Sequence, residues 1–261
     1  MSTTITWLGH STVVLDVDGV RIVADPLLRR HAGLLRRRGG RPVPAQWAGA
    51  DAVVLSHLHH DHAELKSLRM LPPAAPIITG APNVPWLRKR NLSAIAPAEG
   101  EWIDVSGGAG VEVALTPAVH SSRPMPHRPN AANGHLVRTR SSAVWLAGDT
   151  ELFDGLNGLA ELAGRPIDLA VVPVSGWGPR LSGGHMGPAQ AAEACLRVGA
   201  RYAVPVHWGT LHAPGGGTYP RDWMDIPGPA FAQALGRVAP RCTPRVLEIG
   251  VPTSLELPRQ G

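Results

Sequence analysis

Short apolar and alternating segments recur along this chain, and they predict a mixture of strands and helices. In the first 25 residues, three such segments are separated by turn signals at Gly9 and at Asp18 and Gly19, which is typical of an antiparallel β meander. Strand-like segments then alternate with segments of helical periodicity. The predicted strands span residues 4–8, 12–17, 20–24, 52–55, 77–79, 92–95, 102–105, 111–116, 135–139, 143–147, 169–174, 202–206 and 245–249. The predicted helices span residues 63–70, 84–90, 151–163, 188–198 and part of 222–237.

This order of elements predicts two packed sheets with helices on their outer faces. Two β-rich halves follow one another, each followed by helices, and layered packing buries the apolar face of each element. The 30 glycines and 26 prolines are spread along the chain and are not gathered in a linker. We therefore predict an α/β (α+β) fold in one domain over residues 1–261, with a long loop rich in Arg, Gly and Pro at 26–50.

The composition is that of an ordinary soluble protein, with 44% hydrophobic residues. No window reaches the roughly 18 uninterrupted apolar residues of a membrane span. The first residues lack a basic region followed by an apolar run, so we expect no leader and a cytoplasmic location. The two cysteines, Cys195 and Cys242, do not suggest a disulfide scaffold.

An arginine-rich loop at 29–41 contributes much of the formal net charge of +5. Such a loop is compatible with phosphate, nucleic acid or an anionic membrane surface as a partner. A solvated loop without a ligand is the more ordinary interpretation, and we favour it. The arginines of this cluster are Arg29, Arg30, Arg36, Arg37, Arg38 and Arg41.

The segment from Ser56 to His62 contains four histidines and an aspartate, directly after the apolar run at 52–55. Imidazole and carboxylate are ligands of borderline divalent metals such as zinc. Residues two apart on a strand point the same way, so His57 and His59 can share one metal ion. If the chain then turns into a helix, Asp61 and His62 reach a second position beside the first. The segment therefore predicts a metal site.

Further histidines and aspartates lie at or just past the ends of predicted strands. Because binding sites in sheet proteins gather at strand ends, we expect these side chains to join the first cluster. They are His10, Asp25, His120, Asp149 and His207.

In their order along the chain, these residues resemble the ligand pattern of the metallo-β-lactamase superfamily of hydrolases. The pattern is His-x-His-x-Asp-His at 57–62, followed by His120, Asp149 and His207. The segments Trp-Leu-Gly-His-Ser at 7–11 and Gly-His-Met-Gly-Pro at 184–188 resemble one branch of it more narrowly. That branch contains L-ascorbate-6-phosphate lactonase and N-acylphosphatidylethanolamine phospholipase D. The resemblance implies a four-layer αβ/βα sandwich with a dinuclear site on the rim between the two sheets.

The resemblance also implies a role for each residue. One metal would be held by His57, His59 and His120, and the second by Asp61, His62 and His207, with Asp149 bridging both. Asp25 would orient a ligand histidine or the nucleophilic water. His60 occupies a variable position and is expected to point away. Outside the pattern, surface or loop positions are expected for His31, His127, His135 and His212.

The implied chemistry is hydrolysis by a metal-bridging hydroxide. Asp61 and His185 are the predicted catalytic residues, and His185 is the candidate donor to the developing charge or the leaving group. His10 is expected to line the pocket or to fix the first turn, and Arg123 to bind a phosphate. We expect two divalent ions, with zinc as the default and manganese or iron as alternatives.

The predicted substrate is a small or lipid-like anionic molecule containing a phosphodiester, lactone or ester bond. We expect no stable nucleic-acid partner, and a homo-oligomer is compatible with the sequence. Two alternatives remain open: a nucleic-acid-binding or nuclease-type protein that uses the 29–41 loop, and a non-hydrolytic metal-binding or redox protein. Structural zinc sites are closed and often rich in cysteine, whereas a His/Asp set for two ions leaves open positions, which favours catalysis.

Overall fold

The computed structural model describes residues 3–98, 100–120, 128–129 and 131–257. The strands within these ranges are β1 (Thr3–Gly9), β2 (Thr12–Val17), β3 (Val20–Ala24), β4 (His31–Ala32), β5 (Leu35–Arg37), β6 (Ala52–Val54), β7 (Ile77–Ile78), β8 (Ala94–Ile95), β9 (Ile103–Asp104), β10 (Glu112–Pro117), β11 (Asn133–Arg138), β12 (Ala143–Leu146), β13 (Leu169–Pro173), β14 (Tyr202–Val206), β15 (Leu211–His212), β16 (Thr243–Pro244) and β17 (Pro252–Leu255). The α-helices are α1 (Leu65–Leu68), α2 (Val84–Arg88), α3 (Leu159–Ala163), α4 (Pro188–Val198) and α5 (Pro227–Val238). Short 3-10 helices lie at Pro44–Gln46, Ala81–Asn83 and Asp154–Gly158.

The described strands form two seven-stranded sheets and one small sheet. The first sheet has the order β17-β1-β2-β3-β6-β7-β8, and the second has the order β16-β14-β13-β12-β11-β10-β9. The small sheet has the order β15-β5-β4. Each large sheet is antiparallel at one side and parallel at the other, so helices cross over its outer face to connect the parallel strands.

Three apolar clusters separate four layers. The core between the sheets includes Ile5 and Val13 of the first sheet and Val113 and Val204 of the second. On the outer face of the first sheet, residues of α1 and α2 cover β6 and β7. On the outer face of the second sheet, α3, α4 and α5 cover Trp145 and its neighbours. The predicted sandwich of two sheets with outer helices is confirmed.

The direction of the strands explains why polar residues gather at one rim. β1 and β3 are both antiparallel to β2, and β6 is parallel to β3, so these strands end at the same edge of the first sheet. β10 and β12 are both antiparallel to β11, and β14 follows β12 and β13 in parallel. Residues that directly follow these strands therefore lie along one rim of the sandwich.

Several predicted elements differ from the structure. The predicted loop at 26–50 contains β4 and β5, which pair with each other, and β5 also pairs with β15. The predicted helix at 151–163 is a 3-10 turn followed by the short α3, and Gly155 and Gly158, which are poor helix formers, lie in that turn.

The predicted strand at 245–249 is also wrong. Its apolar alternation is real, but Val246 and Ile249 are exposed and belong to no strand. The last strand of the chain is β17, which pairs antiparallel with β1 at the edge of the first sheet.

In the part of the chain that the structure describes, no helix has both the length and the apolar character needed to cross a membrane.

Candidate metal centre

The side chains that follow the six converging strands meet at the rim. One group brings together the ligand atoms of His57, His59, His120 and Asp149, all within 4.8 Å of one another. A second group, within the same limit, consists of His10, Asp61, His62 and His207. A third combines Asp149 and His207 with His185. The structure thus brings together the seven ligand candidates of the sequence, with His10 and His185 beside them.

Three of the contributing residues adopt a left-handed backbone conformation. The φ angles are 52° at His10, 42° at Asp25 and 63° at His207. Such angles cost roughly 1–2 kcal/mol for a residue with a Cβ atom and tend to occur at functional sites. Each of these residues directly follows a strand or lies one residue past it, and the sharp turn aims its side chain across the rim.

The carboxylate of Asp149 lies between the two groups. Its Oδ2 atom is 3.9 Å from His57 Nε2, 3.2 Å from His62 Nε2 and 3.1 Å from His207 Nε2. Asp61 Oδ2 lies within the second group, 3.8 Å from His62 Nε2 and 3.6 Å from His207 Nε2. Three of these separations exceed hydrogen-bond length, and the two shorter ones lack hydrogen-bond geometry, so the atoms are placed to face a common cation.

Oxygen atoms outside the cluster hold the outer nitrogen of several of these histidines. Asp25 Oδ2 lies 2.8 Å from His62 Nδ1 and also accepts a hydrogen bond from Ser56 Oγ, which in turn lies 2.9 Å from His57 Nδ1. The carbonyl oxygen of Gly184 is 2.7 Å from His120 Nδ1. That of Ser175 is 2.9 Å from His207 Nδ1. Because these oxygens accept from Nδ1, the Nε2 atom of each ring faces the cluster.

The inward-facing atoms complete this picture. Within the described residues, the Nε2 atoms of His57, His62 and His207 and both carboxylate oxygens of Asp149 are buried and make no hydrogen bond of acceptable geometry. Buried polar atoms without a partner are rare, because each loses its hydration without compensation. A divalent cation would satisfy all of them, and imidazole and carboxylate are ligands that such an ion accepts. The residues present therefore fit a metal.

The charges of the cluster point the same way. Burial, together with nearby His62, lowers the pKa of His57 well below its usual value, and burial lowers the pKa of His59 to about 4. Burial alone would raise the pKa of Asp149, but neighbouring histidines, led by His207, lower it well below its usual value. Burial alone would lower the pKa of His207, but Asp149 raises it to about 9. The carboxylates thus stay negative and attract positive charge, which a metal ion can supply in place of a proton.

His10 acts on Asp61 and does not line an open pocket. It is fully buried, and its Nε2 atom lies 2.8 Å from Asp61 Oδ2. Burial and the neighbouring His207, whose ring centroid is 3.9 Å away, lower the pKa of His10 to about 3. A neutral His10 therefore donates its Nε2–H to Asp61 and fixes the orientation of that carboxylate.

A cavity of about 600 Å³ opens beside the cluster. His185 lines it and places its Nε2 atom 3.3 Å from Asp149 Oδ2. His60 also lines this cavity, and among the described residues it belongs to none of the groups of candidate ligand atoms. The other lining residues are Ala32, Gly33, Leu34, Leu35, His59, Asp61, Trp177 and Ser182. The cavity thus has an apolar outer wall and a polar inner end.

The arginine cluster is not uniformly solvated. Arg37 is buried and donates hydrogen bonds to the carbonyl oxygens of Leu8 at 2.6 Å and Leu27 at 2.9 Å, and burial lowers its pKa to about 10. Arg38 forms a bidentate pair with Asp225. The interpretation as a solvated loop therefore fails for Arg37. Arg123, the predicted phosphate ligand, lies outside the described residues.

The expected surface position of His135 is also wrong. This residue is buried in β11, where its Nε2 atom lies 3.0 Å from the carbonyl oxygen of Ile78. Leu136 and Val137, which follow it, are both buried, so the strand shows no alternation from which the burial of His135 could be predicted.

Sequence reasoning missed the partners of the outer nitrogens, namely Ser56, Ser175 and Gly184. Ser56 acts through its hydroxyl and Ser175 through its backbone carbonyl, and neither group is distinctive in a sequence. Gly184 carries one, since its φ angle of +82° is a conformation that favours glycine. A Cβ atom at this position would also lie only 2.6 Å from His120 Nδ1.

Replacing Gly184 with alanine is expected to weaken metal binding by about 10-fold or more, because the added Cβ atom must displace His120 or its carbonyl partner. Metal competition with a chromogenic chelator measures the effect. Gly199→Ala is the matched control, since Gly199 also has a positive φ of 67° but has open space around its Cβ position. Equal metal affinity in the two variants would contradict the expectation.

Comparisons with known proteins agree with this geometry. The family profile described as Beta-lactamase superfamily domain matches residues 20–208. The chain is 29% identical over 228 residues to an N-acyl-phosphatidylethanolamine-hydrolyzing phospholipase D of Caenorhabditis elegans, covering 78% of this chain and 63% of the relative. It is 30% identical over 221 residues to a metal-dependent hydrolase of Rhizobium leguminosarum, covering 79% of this chain and 86% of the relative.

A solved metallo hydrolase from the archaeon Ignicoccus hospitalis superposes with a TM-score of 0.76 at 24% identity, covering 98% of this chain and all of that one. This likeness shows the fold. The chain spans less than two thirds of the length of the nematode relative. The profile, however, covers most of this chain and includes every strand that leads into the cluster except β1. The chain therefore belongs to the metallo-β-lactamase superfamily of metal-dependent hydrolases.

Proposed function

We propose that this protein is a dinuclear metal-dependent hydrolase that cleaves a phosphodiester or a related ester or lactone bond. The observation that carries the proposal is the position of Asp149. Its buried carboxylate faces histidines of both ligand groups and has no hydrogen-bond partner among the described residues. A carboxylate shared in this way is the arrangement that two neighbouring ions require.

In this proposal one ion is held by His57, His59 and His120, the other by Asp61, His62 and His207, and Asp149 serves both. Zinc is the default ion for such ligands, and manganese or iron are alternatives. When bound, the ions supply an acidified water and positive charge beside the substrate oxygen.

The surrounding residues prepare the ligands. Asp25 and Ser56 accept from Nδ1 of His62 and His57, so that the Nε2 atoms of both rings face the cluster. His10 donates to Asp61 Oδ2, the oxygen that faces His62 and His207, and fixes the orientation of that carboxylate. Partners of this kind fix the tautomer and the orientation of a ligand and raise its basicity.

His185 is the proton donor in this proposal. Its Nδ1 atom lies 3.1 Å from the carbonyl oxygen of Gly183, and its Nε2 atom lies 3.3 Å from Asp149 Oδ2. Both nitrogens thus face oxygen atoms, which orient the ring. At the wall of the cavity, this ring can deliver the Nε2 proton to a leaving-group oxygen.

The cavity supports a substrate with an apolar substituent next to the scissile bond. Leu34, Leu35 and Trp177 form its outer wall, while the polar side chains lie at the end towards the metal ligands. The nematode relative is named for hydrolysing a phospholipid, which favours a lipid-like phosphodiester over a lactone. The substrate would be a small or lipid-like anionic molecule.

The nucleic-acid alternative loses support because Arg37 is buried and Arg38 is paired with Asp225. Without these two side chains, the six arginines of the cluster do not form one continuous basic surface. We propose that residues 1–261 act as one domain without a stable nucleic-acid partner.

A hydrolysis screen joined to metal analysis tests the proposal. Purified protein is expected to carry two metal ions per chain and to hydrolyse a chromogenic phosphodiester or a phospholipid faster than a lactone. His185→Ala should lower kcat by about 100-fold or more, the usual contribution of a general acid, without changing the metal content. His31→Ala is the control, because this exposed histidine lies outside the metal-ligand groups and the cavity lining among the described residues. Two bound metals without hydrolysis of any of the three substrates would contradict the proposal.

A further inference from the structure

Arg128 reaches into the loop that carries four of the ligand candidates. Its side chain is buried, and Nη1 donates a 2.7 Å hydrogen bond to the carbonyl oxygen of Leu58, the residue between His57 and His59. Nη2 is 3.1 Å from Nδ1 of His60, and since arginine is only a donor, the imidazole nitrogen accepts. One guanidinium thus contacts both Leu58 and His60 within the loop 57–62.

The outer layer of the first sheet anchors this guanidinium. It lies over the ring of Trp86 in α2, 4.7 Å from the ring centroid. Arg90 lies over the ring of the same tryptophan at 3.7 Å and donates to its carbonyl oxygen. The neighbouring chain is fixed as well, because Asn83 donates to the carbonyl oxygen of Ala131. Arg128 is therefore held in place independently of the loop that it contacts.

A guanidinium in this position is costly. Burying a charge requires compensation by paired groups, and the ion pairs among the described residues do not include Arg128. Its Nε atom is buried without a hydrogen-bond partner. An arginine retained only to stabilise the fold would gain more from a carboxylate. Its two shorter hydrogen bonds instead go to Leu58 and His60 in the ligand loop, and a longer one of 3.5 Å goes to the carbonyl oxygen of Ala63 just after it.

We propose that Arg128 is a positioning residue of the metal centre, which fixes the backbone at Leu58 so that His57 and His59 face the same ion. The contact with the His60 ring holds His60 at the cavity wall. The chain from His59 to Asp61 therefore turns in one conformation. The inference rests on the proposed metal centre. It adds Arg128 to that centre as the residue that connects the ligand loop with α2.

Metal affinity tests this role apart from catalysis. Arg128→Met removes the donors and keeps much of the length, and we expect it to bind zinc about 10- to 100-fold more weakly in chelator competition, as for other residues that orient ligands. Arg128→Lys retains one donor and should fall between Arg128→Met and the wild type. The visible absorption of the cobalt(II)-loaded protein should also change in Arg128→Met, because it reports the coordination geometry.

Arg90→Met is the matched control, since it removes the other arginine on the Trp86 ring and touches no described residue of the ligand loop. We expect wild-type zinc affinity and an unchanged cobalt spectrum for it. Wild-type affinity in Arg128→Met, or equal weakening in both methionine variants, would overturn the inference alone. If Arg128→Met does not fold, wild-type affinity and spectrum in Arg128→Lys would overturn it. Absence of metal binding by the wild-type protein would overturn the proposed function together with this inference.

Discussion

Asp149→Asn is expected to lose most of its bound metal and to slow hydrolysis on the order of 1000-fold, which corresponds to about 4 kcal/mol of transition-state stabilisation. The reason is the shared position of the carboxylate, whose Oδ2 atom faces His57, His62 and His207 at 3.1–3.9 Å. An amide of the same shape removes the negative charge from both ligand groups at once. Elemental analysis of the purified variant and kcat on the best substrate of the screen measure the two effects.

The matched control is Asp154→Asn. This aspartate is fully exposed and pairs only with Arg197 at the surface among the described residues, so metal content and kcat should stay at the wild-type values. A normal metal content in Asp149→Asn would show that the carboxylate does not serve as a ligand. If the Asp149→Asn variant bound a single metal ion and kept full activity, this would argue against the dinuclear mechanism.

Asp25→Ala should produce the largest loss of folding free energy, about 3–5 kcal/mol in the metal-free protein. The buried carboxylate accepts hydrogen bonds from the backbone N–H and the hydroxyl of Ser56 and from His62 Nδ1, at 2.7–2.8 Å. Alanine leaves all three donors without a partner in a buried position, at about 1–3 kcal/mol each before relaxation. It must also adopt the left-handed conformation of φ 42°. Urea unfolding in the presence of a chelator measures the loss.

Asp25→Asn separates these causes. Asparagine tolerates the left-handed conformation and keeps one oxygen acceptor, so we expect a smaller loss of stability than in the alanine variant. Zinc affinity should still fall by about 10-fold or more, because the carboxylate that holds the His62 tautomer is gone. If the alanine variant were as stable as the wild type, the hydrogen bonds of Asp25 would not matter for the fold.

The sequence predicted the layers and the position of the cluster well because both follow from local patterns. Apolar strands can be predicted from their length and their alternation. A polar residue directly after such a strand must then lie at the edge of the sheet. His120, Asp149 and His207 were found in this way, although no pattern in the chain places them next to His57. Their meeting at one rim depends on strand direction, which the sheet order supplies.

The remaining features depend on contacts between residues far apart in the chain. The carbonyl oxygens of Ser175 and Gly184 orient His207 and His120. The identity of Ser175 does not signal this role, and that of Gly184 signals only its backbone conformation. Arg37 was expected in a solvated loop because of its charged neighbours, yet the pairing of β5 with β15 buries it. β17 was missed because it gains its place only by pairing with β1, some 250 residues earlier.

The two sheets contribute separate halves of the ligand set. His57, His59, Asp61 and His62 follow the first sheet, whereas His120, Asp149 and His207 follow the second. Neither half can offer a complete coordination shell while the chain is still folding, because long-range docking of one sheet on the other comes late. An ion of high affinity therefore meets its site only in a nearly native protein. Once bound, it joins the two halves as a cross-link does and raises the barrier to their separation.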